Sequence, residues 1–109
     1  MKISELCKNL ELTLLTNENY DDIEISGCYI GDLLSWVMSH AEPGNVWITI
    51  MNNINITAVA SLVDVACVIL AEGVTLTEDV LEKANSAGVI VFSSDKTAYE
   101  LASGISKEE

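Results

Sequence analysis

The sequence predicts an α/β fold: a single domain with a mainly parallel β-sheet and flanking helices. Three apolar, β-branched runs in the second half predict it, VWITI (46–50), ACVIL (66–70) and GVIVF (88–92). Each is followed by a polar junction and then a segment of helical period. Runs apolar on both faces suit strands covered on both sides, and regular strand–helix alternation implies β-α-β crossovers.

Taken in order, ISELCKNL reads as a short helix with Ile3, Leu6 and Leu10 inward, followed by a strand near Leu12–Leu15. TNENYDDIE reads as an acidic loop, and EISGCYIGDL leads through two glycines into a helix from Asp32 to Ala41. That helix places Leu33, Leu34, Val37 and Ala41 on one face and Asp32, Ser35 and Ser39 on the other; Glu42-Pro43-Gly44-Asn45 ends it. From Asn55, the next helix carries an apolar stripe of Ile56, Val59, Ala60 and Val63, with Thr57, Ser61 and Asp64 as a narrow polar strip. Thr77 reads as the N-cap of a third helix, with Leu76 and Leu81 as a hydrophobic staple and Gly88 as its left-handed end. The last helix is expected from near Asp95, burying Ala98, Leu101, Ala102 and Ile105. The core of the domain spans about 24–104, and the end of the chain (105–109, with SKEE) reads as a solvated tail.

A length of 109 residues fits one domain, and a hydrophobic half gives a core without disulfide or metal staples. Five basic residues face seventeen acidic ones, a net charge of −12, and all five are lysines. Without arginine the chain lacks the planar fork that grips phosphates and base edges, and its charge repels polyanions. Nucleic acid and anionic membranes are therefore excluded as expected partners. Cys7, Cys28 and Cys67 form no C-x-x-C pair and read as reduced thiols. The N-terminus has no signal-peptide run, and AVASLVDVACVILA is broken by Asp64 and short of the ~20 residues that span a bilayer. The expected location is the cytoplasm.

Ligands of open α/β sheets gather at the carboxyl ends of the strands, where helix N-termini offer N–H groups. With a parallel sheet, Asn52, Asn53, Asn55, Glu72, Gly73, Ser93 and Ser94 would share one rim, suited to a neutral or weakly charged small molecule. The same residue types are ordinary in turns and caps. Asn55 is expected chiefly as a cap, while Asn52 and Asn53 stand evenly between turn and ligand. Trp36 falls off the apolar face of its helix, and Ala58 and Val65 leave the next helix apolar around most of its circumference; these three are the candidate interface. Asn17, Asn19 and Asp21 have the spacing of a calcium loop, but Asp22 stands at its glycine and Cys28 at its glutamate, so no metal is expected. His40, the sole histidine, sits near a helix end with no nucleophile or carboxylate beside it in the sequence. P-loop, dinucleotide, zincin and serine-hydrolase motifs are missing, so no catalytic residues and no cofactor are assigned.

The run GCYIGDLLSWVMSHAEPGNVWITIMNNINITAVASLVDVACVILAEG, with LEKANSAGVIVFSSDKTAYELA after it, resembles a stand-alone DRTGG domain. The resemblance is most specific in Gly27–Met38 and Ile54–Leu62. It implies a fold like the N-terminal domain of HPr kinase/phosphorylase, whose kinase site belongs to another domain. It also implies a regulatory or dimerising module, since such domains accompany CBS domains, pyrophosphatases and phosphotransacetylases. The naming motif is degenerate: Asn52-Asn53 falls near the Asp-Arg step and Ala71-Glu72-Gly73 near Thr-Gly-Gly, so Gly73 alone is matched. The expectation is a non-catalytic regulatory or interaction module, homodimeric, contacting a separate partner protein and binding a small molecule at the strand ends. The alternatives are a purely structural dimerisation domain without ligand and, third, a small enzyme using Asp32, His40 or the asparagine edge.

Overall fold

The computed structural model describes residues 1–108. Its elements run α1 (Ile3–Asn9), β1 (Thr13–Leu14), β2 (Gly27–Ile30), α2 (Leu34–His40), β3 (Asn45–Thr49), α3 (Asn55–Val63), β4 (Cys67–Leu70), α4 (Glu78–Ala87), β5 (Val91–Ser93) and α5 (Ala98–Glu108). The sheet order is β1-β5-β4-β3-β2, with β2 to β5 parallel and β1 antiparallel at the far edge.

Successive strand residues point to opposite faces, and here both faces are buried. Val46, Ile48, Cys67, Ile69 and Phe92 enter one cluster, covered by Ile3 and Leu6 of α1 and Leu101 and Ile105 of α5. Their neighbours Trp47, Val68, Leu70 and Val91 enter the other, covered by Val37 of α2, Ile56, Val59 and Ala60 of α3 and Ala84 of α4. The two-sided burial makes the strands read as unbroken apolar runs. The molecule is thus three layers: α2–α4, the sheet, then α1 with α5. Trp47 is fully buried and its indole N–H donates to the Gly31 carbonyl at 2.9 Å, so its one polar group is satisfied. On the other face α1 and α5 meet closely: a Cβ on Gly104 would stand 2.4 Å from Leu10 Cδ2.

Several expectations are corrected. Residues 27–30 are a strand, β2, rather than a lead into a helix; as the sheet edge it alternates half-buried and exposed residues and shows no continuous apolar run. The following helix starts at Leu34, with Leu33 as its N-cap and 61% exposed, so Leu33 leaves the apolar face. Asp32 precedes this helix. Thr57 is 3% exposed rather than on a polar strip, because α3 is flanked by helices on its own layer. The last helix begins at Ala98 and continues through Glu108 with Ile105 buried, so a solvated tail does not start at 105. Of that tail, residue 109 lies outside the described residues.

Candidate functional site

The carboxyl ends of β3, β4 and β5 meet the approaches to α3, α4 and α5 along one edge of the sheet. Asn52 Nδ2 donates to the Thr75 carbonyl at 3.0 Å, joining the first junction to the second. The Glu72 and Gly73 N–H groups donate to the Lys96 and Ser94 carbonyls at 2.9 and 2.8 Å, joining the second to the third. Asn52, Asn53, Asn55, Glu72, Gly73, Ser93 and Ser94 therefore share one edge. Much of their hydrogen-bonding capacity is spent within it. Asn53 Oδ1 accepts from Asn55 N–H at 3.0 Å, and Ile54 already has helical dihedrals, so Asn53 caps α3. Asn55 makes no side-chain cap bond; it is the first residue of the helix, a correction to the expected role. Ser94 Oγ accepts from Lys96 N–H at 3.1 Å, and Lys96 Nζ donates to the Leu10 carbonyl at the end of α1. Asp32, not among the expected edge residues, accepts from Thr49 Oγ1 at 2.8 Å and Ile50 N–H at 3.0 Å, fastening the β2–α2 loop to the end of β3.

Beside these amides the edge is apolar. Ile30 ends β2, Ile50 follows β3, Leu33 is the N-cap of α2, and Ile54 stands between Asn53 and Asn55 at the start of α3; Ile30, Ile50, Leu33 and Ile54 are 49%, 47%, 61% and 47% exposed. Trp36, 57% exposed, stacks on His40 with ring centroids 4.6 Å apart. His40 Nδ1 lies 2.9 Å from both Ser39 Oγ and the Trp36 carbonyl, so the bonds of this ring are local to its own helix. Ala58 is exposed on α3, while Val65 lies past the helix end, half-buried against the α2–α4 layer.

The opposite end of the sheet carries a cleft of about 500 Å³. Its walls are the acidic loop, the ends of α3 and α4 at Asp64 and Gly88, and the residues entering β4 and β5. The loop is tied down rather than simply solvated. Asn17 N–H donates to Asn85 Oδ1 at 2.9 Å, and Tyr20 meets Phe92 edge-on at 6.5 Å. Asp22 accepts from the Ser4 hydroxyl and, at 2.8 Å, from the Ser4 N–H; these bonds hold its carboxyl below the usual range. Burial, then the Asp22 carboxylate, pushes the Tyr20 phenol up. Sequence reading missed this cleft because its walls come from three separate stretches, 16–23, 64–66 and 85–90, that only the fold brings together.

The family model for the DRTGG domain matches residues 5–107. The chain belongs to the DRTGG domain family. No curated protein matches it. Among solved structures it is similar to the CBS and DRTGG domains of the regulatory region of Clostridium perfringens pyrophosphatase, complexed with the activator diadenosine tetraphosphate. The TM-score is 0.72 at 13% identity, over 94% of this chain and 45% of that one, so this chain spans less than half of that regulatory region. At that identity the likeness establishes the fold. Within this DRTGG domain the one residue matched in the naming motif, Gly73, has a structural cause. Val74 N–H closes on the Ala71 carbonyl at 3.2 Å, with Glu72 and Gly73 at φ 58° and 77°, the paired positive values of a type I′ turn. Among the described residues no His, Cys, Asp and Glu cluster could hold a metal ion, and no helix is long and apolar enough to cross a membrane.

Proposed function

We propose that this DRTGG domain is a non-catalytic regulatory module that works as a homodimer through its carboxyl edge and contacts a separate partner protein. The observation that carries this reading is the set of exposed apolar side chains, Ile30, Leu33, Ile50 and Ile54, gathered at strand ends and helix starts, with Trp36 one turn on. Apolar surface rimmed by polar groups is typical of an interaction site. The similar pyrophosphatase segment is a regulatory region, which supports regulation rather than catalysis. The three cysteines form no disulfide among the described residues, which fits a cytoplasmic setting. Light scattering should give twice the chain mass, and Trp36→Ala or Leu33→Asp should shift it towards the monomer. A monomer at high concentration overturns the reading.

A small ligand at Asn52, Asn53, Asn55, Glu72, Gly73, Ser93 and Ser94 belongs to the same proposal. Without arginine and with a net charge of −12, a neutral nucleoside suits this edge better than a polyphosphate. A thermal-shift series with nucleosides tests it, since a ligand at ~100 times its Kd adds about 2.7 kcal/mol. A flat series favours the second reading, a structural dimerisation domain without ligand. One observation supports that alternative: Asn52 Nδ2 already donates to the Thr75 carbonyl, and Asn53 Oδ1 already accepts from the Asn55 N–H.

A further inference from the structure

The cleft at the amino-terminal end of the sheet has no part in the function proposed above. We infer that it is a binding site for a small hydroxylated organic cation, of the amino-sugar or amino-alcohol class.

Charge sets the sign of the ligand. Asp21 and Asp64 are both in the lining, and no lysine or histidine is. The nine-residue α3 and the ten-residue α4 both end at the cleft, through Asp64 and Gly88, so two helix C-termini add partial negative charge. A cation is favoured there and an anion opposed.

Hydrogen bonding sets the rest. Thr16 lines the cleft and is only 9% exposed. Its hydroxyl oxygen accepts from the Val91 N–H at 3.1 Å, and no acceptor among the described residues takes its proton. A hydroxyl that accepts one bond keeps a proton to give, and at the cleft wall that proton can go to a ligand oxygen. Asn19 and the amide nitrogen of Asn85, whose oxygen is held by Asn17, add further polar groups. Carboxamides and hydroxyls that both donate and accept match ligand hydroxyls, which do the same. A bare diamine leaves the Thr16 proton unmatched; a neutral sugar leaves the carboxylates unmatched. The volume lies within the ~300–1,000 Å³ usual for small-molecule sites.

Titration calorimetry of the full chain at about 0.15 M salt, where the Debye length is ~8 Å, tests this with glucosamine as probe. Saturable binding of one glucosamine per chain is expected, with glucose and putrescine each about tenfold weaker or more. Asp64→Asn keeps a residue that tolerates the left-handed conformation, φ 63°, and should weaken glucosamine about tenfold. Thr16→Val should weaken it as well. Glu78→Gln removes the same charge at the far end of α4 and should change affinity by less than about twofold. No saturable binding, glucose or putrescine binding as tightly as glucosamine, or equal losses for Asp64→Asn and Glu78→Gln would each overturn the inference. Because the cleft and the carboxyl edge are at opposite ends of the strands, failure here leaves the dimer reading untouched, and the reverse also holds.

Discussion

Glu72 and Gly73 hold neighbouring left-handed conformations, but only one is free of cost. Gly73 has no Cβ to clash, and an added one would lie 3.2 Å from Asp95 Oδ1 with φ at +77°. Gly73→Ala is therefore expected to destabilise the fold by about 1–2 kcal/mol, read from a urea melt. Glu72 already carries a side chain at φ 58°. It is kept there by the N–H bonds of the turn to the Lys96 and Ser94 carbonyls. Both residues could be named from the sequence as edge positions, yet their conformation could not, since it depends on a loop more than twenty residues downstream. The asparagines show the same limit. Asn53 and Asn55 are chemically identical, only Asn55 is expected as the cap, and Ile54 taking helical dihedrals moves the cap two residues earlier, to Asn53.

At the scale of elements, α5 shows a signal that was present and misread. Thr97 N–H donates to Glu100 Oε1 at 3.0 Å, and Glu100 N–H donates to Thr97 Oγ1 at 3.2 Å. The reciprocal pair is a capping box, spelled T-A-Y-E in the sequence, and it sets the start at Ala98 rather than near Asp95. Thr97→Ala should cost about 1 kcal/mol of thermal stability, and Thr97→Ser much less. By contrast β3 and β4 were legible because both of their faces are buried. Strand β2 was not, since an edge strand with one open side and a glycine at its start resembles a loop. The acidic loop yields a pH prediction. Its Asp22 carboxyl is depressed in the folded state by the Ser4 hydroxyl and then the Ser4 N–H. Its contribution is therefore fully present above the unfolded value near 3.9 and is lost as pH falls through the lower folded value. The difference in melting temperature between the native protein and Ser4→Ala should be constant from about pH 7 to 5 and shrink below about pH 4. A gap that widens on acidification would rule out the carboxylate as the acceptor.

Across the whole molecule, a net charge of −12 on 109 residues opposes compaction. The clusters above and below the sheet overcome that repulsion, with Trp47 and Phe92 the two largest fully buried side chains. Screening should relieve it: raising sodium chloride from about 0.01 to 0.15 M shortens the Debye length from ~30 to ~8 Å and should raise the melting temperature. A lower melting temperature at higher salt would mean that attractive pairs outweigh the repulsion. Layer order and strand direction were legible because they follow from periodicity, which is local. The amino-end cleft was not, because it depends on where the acidic loop comes to rest.

Cys67 begins the central strand β4, with no exposed surface and helices on both sides of its sheet, and burial pushes its thiol up. Reaction with a thiol reagent requires the thiolate. In the intact fold this sulfur is therefore silent, whereas Cys28 stands exposed on the edge strand. The molecule carries its own clock: the rate at which Cys67 becomes reactive measures how often the central strand is uncovered.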